Sequence, residues 1–388
     1  MRFLQTGDWH LGKVMHEKSL LEDQEYFLNQ IFDRLGKVKY NALLVPGDVY
    51  DRPVPSGEAV SLLSKFIGKV HQKFPDLEIF ILSGNHDSAE RLSFLKDVLN
   101  EMHIHICTDT QNITDPVVLK EGNEKACIYQ LPFLYDGSFR DDEENSIRGQ
   151  EALYSFAAEK ILLNHKKEFS DYYSVLCAHL FTIQSQVSDS ERSFIGTADQ
   201  VSAALFEEFS YTAVGHLHSF QPCGKRGNIY YSGSPLAYSF DDDPEKFFLD
   251  VEITGSPEKP EVKLEKIPVK PLHKVVRLKG KFSDFFGKKI ENEDDFVEIL
   301  LEDEVLPDGA ATLLRETFPN LLSVRKDYQV SEDMTDQIQE RKSAMDSRDP
   351  EKIFTQFFSE IYNGLENNML DEEKNEFMKS ASETGWGN

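Results

Sequence analysis

Hydrophobic and polar positions over the first ~135 residues repeat one unit. An apolar run of four to six residues gives way to a glycine-containing turn and then to a stretch with helical periodicity. The runs are RFLQT, ALLVP and EIFIL. Between them, QEYFLNQIFDRL spaces Phe27, Ile31 and Leu35 four residues apart, and EAVSLLSKFIGKV gathers Leu63, Phe66, Ile67 and Val70 on one helical face. Strand and helix in alternation predict parallel strands with right-handed crossovers, an α/β arrangement. Further along, SVLCAH, YTAVGH, NIYYSG, FFLDVEI and EVKLEKIPV bring more strand and less helix. The pattern holds to about Val269 and predicts a layered core over residues 1–270.

Pro268 and Pro271 then interrupt it. A strand at KVVRLKG, a strand at DFVEILLED, a helix at AATLLRETF and a strand at LLSVRKDY predict a small α+β domain over residues 271–329. Residues 330–349 are polar and read as a linker. Residues 350–388 turn helical again, with Asp349-Pro350 as N-cap and first-turn proline. Ile353, Phe354, Phe357, Phe358, Ile361, Tyr362 and Leu365 make a broad apolar stripe there, and Asp371 can cap a second helix carrying Phe377 and Met378. A stripe that wide has to be buried. It can fold back on its own core or dock into a partner's groove; its place beyond a polar linker favours docking.

Composition narrows the class. With 388 residues, 40% hydrophobic and 11% aromatic, the chain is globular and long enough for two or three cores. No run approaches ~18 apolar residues, so no membrane-spanning helix is predicted. Cys107, Cys127, Cys177 and Cys223 form no C-x-x-C pair, which argues against a thiolate zinc site and a disulfide framework. Together with an N-terminus lacking an apolar leader, they predict a cytoplasmic protein with reduced, buried thiols. Taken as an average, the net charge of −26 argues against a nucleic-acid ligand, because phosphate affinity comes from Lys and Arg. Yet residues from Lys281 onward hold 26 acidic and 12 basic side chains, over half of the excess, whereas the first 280 hold 42 and 30. Bound divalent cations would offset part of the remainder, so phosphate substrates stay open.

The chemistry sits at the ends of the apolar runs. RFLQT precedes Gly7-Asp8-Trp9-His10, ALLVP precedes Gly47-Asp48, and EIFIL precedes Ser83-Gly84-Asn85-His86-Asp87. SVLCA precedes His179, and YTAV precedes Gly215-His216-Leu217-His218. Carboxyl ends of strands form the ligand crevice of open α/β sheets, so all five are expected at one edge. The pairs Asp8/His10 and His216/His218, at i and i+2, are expected on one side of extended chain. The set Asp8, His10, Asp48, Asn85, His179, His216 and His218 offers seven oxygen or imidazole donors and no sulfur. That exceeds what one ion with an open position needs and suits two ions sharing a carboxylate. Imidazole with carboxylate favours Mn²⁺, Fe²⁺ or Zn²⁺ over Ca²⁺. Singly, each motif has a plain structural explanation: a Gly-Asp turn, a left-handed Asn, a core histidine. Five recurrences in order do not. His16, His71, His103, His105, His165 and His273 lack that context.

G-D-x-H, G-D, G-N-H-D, a lone His and G-H-x-H, in that order, resemble the calcineurin-like metallophosphoesterases. The contexts GDWHLGK, GDVYD, SGNHDS, CAHLF, GHLHSFQ and YSGSPLAYSF narrow the resemblance, over essentially the whole chain, to the nuclease branch. It implies a double β-sandwich flanked by helices, with a small α+β capping domain and C-terminal helices. It implies one metal ion on Asp8, His10, Asp48 and His218, and another on Asp48, Asn85, His179 and His216, both most readily Mn²⁺. His86 would be the general acid or charge stabiliser and Asp87 its orienting partner. The implied activity is cleavage of DNA at double-stranded ends and hairpins, in repair, recombination and replication, with an SMC-like ATPase and as a homodimer within a heterotetramer. The apolar stripe at Ile353, Phe354, Phe357, Phe358 and Ile361 would meet that ATPase near its coiled-coil base. Two other readings stay open: a phosphatase or small-molecule phosphodiesterase, which needs no ~120-residue extension, and a non-catalytic scaffold, which needs no complete ligand set.

Overall fold

The computed structural model describes residues 1–141, 144–182, 200–288, 291–292, 294–327 and 376–379. The linker at 330–349 and the apolar stripe at 353–361 lie outside the described residues. The chain divides into two compact units, Met1–Arg325 and Lys326–Asn388. Within the second, residues 376–379 are helical.

In chain order the elements that matter are β1 (Arg2–Gln5), α1 (Leu21–Lys37), β2 (Ala42–Val45), α2 (Gly57–Lys73), β3 (Glu78–Leu82), β4 (Ile104–Cys107), β5 (Val117–Glu121), β6 (Glu124–Leu131), α3 (Gln150–Glu168) and β7 (Tyr173–His179). They continue as β8 (Tyr211–Gly215), β9 (Gln221–Cys223), β10 (Ile229–Tyr231), β11 (Phe247–Ser256) and β12 (Lys259–Pro268). One six-stranded sheet has the order β12-β11-β1-β2-β3-β4 and the other β9-β10-β8-β7-β6-β5. The strands β1 to β4 run parallel, as do β6, β7, β8 and β10. The antiparallel strands β11 and β12 extend the first sheet, and β5 and β9 border the second.

The two sheets face each other, which explains why the apolar runs are continuous rather than alternating. Phe3, Ala42, Leu44, Phe80 and Leu82 of the first sheet meet Ile128, Val175, Cys177, Tyr211 and Ala213 of the second in one buried cluster. The opposite face of the first sheet carries Leu4, Leu43, Val45, Ile79 and Ile81 against Phe27, Ile31, Leu63 and Phe66 of α1 and α2. The opposite face of the second carries Tyr129, Leu176 and Val214 against Leu153, Ala157 and Ile161 of α3. The result is the double β-sandwich flanked by helices. Asp250 on β11 locks α1 to its sheet by accepting from Arg2 Nε at 2.7 Å, Arg34 Nη2 at 2.6 Å and Tyr40 Oη at 2.6 Å.

A three-stranded sheet follows, β13 (Val275–Gly280), β14 (Phe296–Leu301) and β15 (Leu321–Lys326), with α4 (Ala310–Leu314) before its last strand. It has its own core of Phe285, Val297, Ile299, Leu301, Leu314 and Phe318. Glu298 is fully buried there, 2.6 Å from Arg277 Nε and 3.0 Å from Arg325 Nε. Arg277 also reaches Asp241 at 2.6 Å, and the His273 backbone N–H donates to Asp23 at 3.0 Å. These contacts seat the small sheet on α1 and on the loop between β10 and β11.

Candidate metal centre

Three of the ligand-bearing strands, β1, β2 and β3, belong to the first sheet, and two, β7 and β8, belong to the second. Their carboxyl ends meet across the sandwich, so the crevice has a wall from each sheet. The expectation of extended backbone at the i, i+2 pairs is corrected here. Asp8, His10, Asp48 and His216 have φ of 52°, 45°, 47° and 114°. Each sits in a sterically sparse region, where such residues cost on the order of 1–3 kcal/mol and are held by their surroundings. The chain leaves β1, β2 and β8 by turning on the ligand itself. Two glycines make that possible. A Cβ on Gly84 would stand 2.1 Å from Asp48 Oδ1, and one on Gly47, whose φ is 100°, would stand 2.2 Å from His179 Nδ1.

All seven expected donors come together. Asp48 Oδ2 stands between the imidazoles of His179, at 3.4 Å, and His10, at 3.7 Å. Asn85 Oδ1 is 3.1 Å from His179 Nε2 and 3.0 Å from His216 Nδ1. His10 Nε2 and His218 Nε2 are 3.1 Å apart, and Asp8 Oδ1 accepts from the His216 backbone N–H at 2.8 Å. Two donor groups have ligand atoms within 4.8 Å of one another: His10, Asp48 and His86, and Asp48, His179 and His216. Both contain Asp48. His86, expected beside the ions rather than on one, is therefore close enough to its neighbours to be grouped with them. Its Nδ1 lies 3.1 Å from the Asp51 carbonyl.

Asp87 differs from its expected part. Its carboxylate accepts backbone N–H groups of Val49 at 3.0 Å, Tyr50 at 2.9 Å and Gly84 at 3.0 Å. It splices the turn after Asp48 to the turn before Asn85, and the His86 ring takes its bearing from Asp51.

The electrostatics suit a cation. Burial depresses the imidazolium forms of His10 and His218 far below the ordinary value and brings His216 down to about 3. Neutral imidazole is the ligating form. Burial alone would raise the Asp48 carboxyl, but His179, His10 and His86 outweigh it and hold it low. Burial opposes a proton on His179, and Asp48, Asp8 and the Pro46 carbonyl reverse that. His179 Nδ1 lies 2.8 Å from Pro46 O, which leaves Nε2 toward Asp48 and Asn85. Four imidazoles, two carboxylates and one amide oxygen, converging without sulfur, fit the binding of divalent metal ions.

Several supporting residues carry no sequence signal of their own. Gln24 of α1 donates to the His10 carbonyl at 2.8 Å and accepts from Gly12 N–H at 2.8 Å. Trp9 is buried edge-on against Phe66 and donates Nε1–H to Thr6 at 3.0 Å. Lys246, itself buried, donates to the His218 carbonyl at 2.9 Å. Their hydrogen bonds span up to 28 residues of sequence, and only the fold reveals them.

The calcineurin-like phosphoesterase profile matches residues 1–245, and the chain belongs to that family. A second profile, SbcD_C, described as the type 5 capsule protein repressor C-terminal domain, matches residues 260–362. Along 93% of its length, and 93% of the relative's, the chain is 28% identical to SbcD of the nuclease SbcCD from Staphylococcus saprophyticus, in keeping with the nuclease-branch resemblance of its motifs. A dimetal phosphatase from Danio rerio superposes with a TM-score of 0.38 at 9% identity, covering 70% of this chain and 99% of that one, a likeness too distant to bear on the fold. No helix among the described residues is long and apolar enough to cross a membrane.

Proposed function

We propose that the chain is a two-metal DNA nuclease, an exonuclease at double-stranded ends and an endonuclease at hairpins or blocked ends, serving DNA repair and recombination. The observation that carries this is the pair of donor groups sharing Asp48, in a chain similar from end to end to a component of a nuclease. Asp8, His10, Asp48 and His218 would hold one ion, and Asp48, Asn85, His179 and His216 the other. Ions bound there, most readily Mn²⁺, would supply a hydroxide near neutral pH and offset phosphate charge. The chain's own parts are orientation and proton transfer. Asp48 fixes the spacing of the two groups. His86, with Nδ1 toward the Asp51 carbonyl, carries a proton on Nε2 to the leaving oxygen, a contribution of about 10²–10⁴ in rate. Asp87 keeps the turns bearing Asp48 and Asn85 in register.

The proposal extends to the assembly. Residues 271–329 would cap the cleft and shape the DNA site, 330–349 would tether, and 350–388 would dock an SbcC-type SMC-like ATPase through Ile353, Phe354, Phe357, Phe358 and Ile361. Two copies would pair within a heterotetramer with that ATPase, in the cytoplasm; Phe94, Leu95 and Val98, exposed at 73%, 54% and 57% just after the Asn85 turn, are apolar positions open to such a contact. The test is cleavage of linear duplex, hairpin DNA and a methyl nitrophenyl diester by the full chain with Mn²⁺, with and without the ATPase. DNA cleavage that the ATPase stimulates is expected. Hydrolysis of the small diester alone would favour a phosphatase or small-molecule phosphodiesterase.

A further inference from the structure

A sixth strand reaches the metal edge and ends in aromatics instead of ligands. β6 runs parallel to β7 with Leu131 opposite Ala178, one residue before His179, so residues 132–135 leave the second sheet beside that ligand. The Tyr154 hydroxyl ties the two exits, standing 2.6 Å from the His179 carbonyl and 3.2 Å from the Pro132 carbonyl. The Phe133 ring lies over His216, centroids 6.3 Å apart at 24°, and Tyr135 meets Phe133 edge-on at 5.0 Å and 71°. Tyr135 is 57% exposed, whereas its neighbour Leu134 is fully buried. Burial, then the carboxylates of Asp48 and Asp87, raise the Tyr135 hydroxyl above its ordinary value, which places the ring within electrostatic reach of the centre.

An exposed aromatic means little on a loose loop, but this loop is held at every step. Tyr135 N–H donates to Ser138 Oγ at 3.0 Å, and Ser138 N–H returns to the Tyr135 carbonyl at 2.9 Å. Gln150 Nε2 donates to the Leu134 carbonyl at 2.6 Å, and Gly149 N–H to Asp136 at 2.8 Å. The ring is presented, so little ordering cost remains when something lands on it. At the rim of a site that cleaves phosphodiesters, a fixed flat ring matches the face of a nucleobase. Such stacking tolerates any sequence, because every base has a π face.

We propose that Tyr135, backed by Phe133, stacks on a base next to the scissile phosphate and positions the strand for cleavage; this rests on the nuclease reading. The test uses the full chain with Mn²⁺, comparing kcat/KM on an oligonucleotide with kcat/KM on the methyl nitrophenyl diester. Tyr135→Ala is expected to lower the ratio of DNA to diester by roughly 5- to 150-fold, and Tyr135→Phe to keep it near wild type. An abasic nucleotide scanned through the three positions on either side of the cut is expected to cost wild type that same factor at one position and to cost Tyr135→Ala nothing there. A 2-aminopurine at that position should lose fluorescence on binding to wild type and Tyr135→Phe, and keep it with Tyr135→Ala. An unchanged ratio in Tyr135→Ala, including a parallel fall on both substrates, overturns the inference. So does a Tyr135→Phe ratio as low as that of Tyr135→Ala, which would assign the effect to the hydroxyl. A wild type that hydrolyses the diester and leaves DNA intact removes the nuclease reading and this inference with it; a wild type that cuts DNA beside an equally selective Tyr135→Ala removes this inference alone.

Discussion

The metal edge of the double sandwich and the small sheet of β13, β14 and β15 both bury charge, and they resolve it differently. In the small sheet, Glu298 is enclosed by Arg277 and Arg325, so one carboxylate meets two guanidinium groups at hydrogen-bond distance. Positive φ among the described residues of that region is confined to Gly287 and Gly309. At the metal edge, four imidazoles crowd two carboxylates, and four donors sit on left-handed backbone without being glycine. The small sheet answers its buried carboxylate with guanidinium groups on relaxed backbone; the metal edge gathers carboxylates and largely neutral imidazoles on strained backbone, a donor set that a cation completes. Strain together with a surplus of donors marks the functional end of the molecule.

The comparison can be broken from the metal side first. Asp48→Ala removes the one residue common to both donor groups, and activity should fall to background, with elemental analysis showing strong loss of metal. His86→Ala should keep its metal content near wild type while kcat falls about 10²–10⁴-fold. Metal loss in step with activity would make His86 a ligand and not a proton donor.

The structural side should behave otherwise. Glu298→Ala removes the buried partner of Arg277 and Arg325, whose own side chains are 34% and 61% exposed, and should cost about 1.5–3 kcal/mol in denaturant unfolding, with metal content unchanged. Asp250→Asn should cost about 1.5–3 kcal/mol by the same measurement. Burial would raise the Asp250 carboxyl, but Arg2, Tyr40 and Arg34 hold it below its ordinary 3.8. The folded state thus binds that proton less tightly than the unfolded chain. Its contribution is full at neutral pH and is lost as pH falls below about 4, through the native value, so the gap between wild type and Asp250→Asn should close there.

The ligands were legible because each follows an apolar run, and the carboxyl end of a buried strand is where such a fold exposes side chains. The runs themselves were legible because both faces of β1, β2, β3, β7 and β8 are covered. What stayed hidden depends on contacts between distant segments. Nothing local tells that β3 and β7 lie in different sheets, or that Asp8 and His10 turn left-handed, since their neighbours in space impose it. Asp87 sits next to His86 in sequence, yet its carboxylate turns back to three amides. Tyr135 follows an apolar run as the ligands do, but an aromatic at a strand end carries no ligand signal.

The central claim is that five strand ends form one centre for two ions joined through Asp48. Mn²⁺ titration of the metal-free full chain, read by calorimetry and by electron paramagnetic resonance, tests it directly. The account predicts two ions per chain with magnetic coupling between them, and loss of the coupled pair in Asp48→Ala. One ion per chain, or two uncoupled ions that persist in Asp48→Ala, would contradict it.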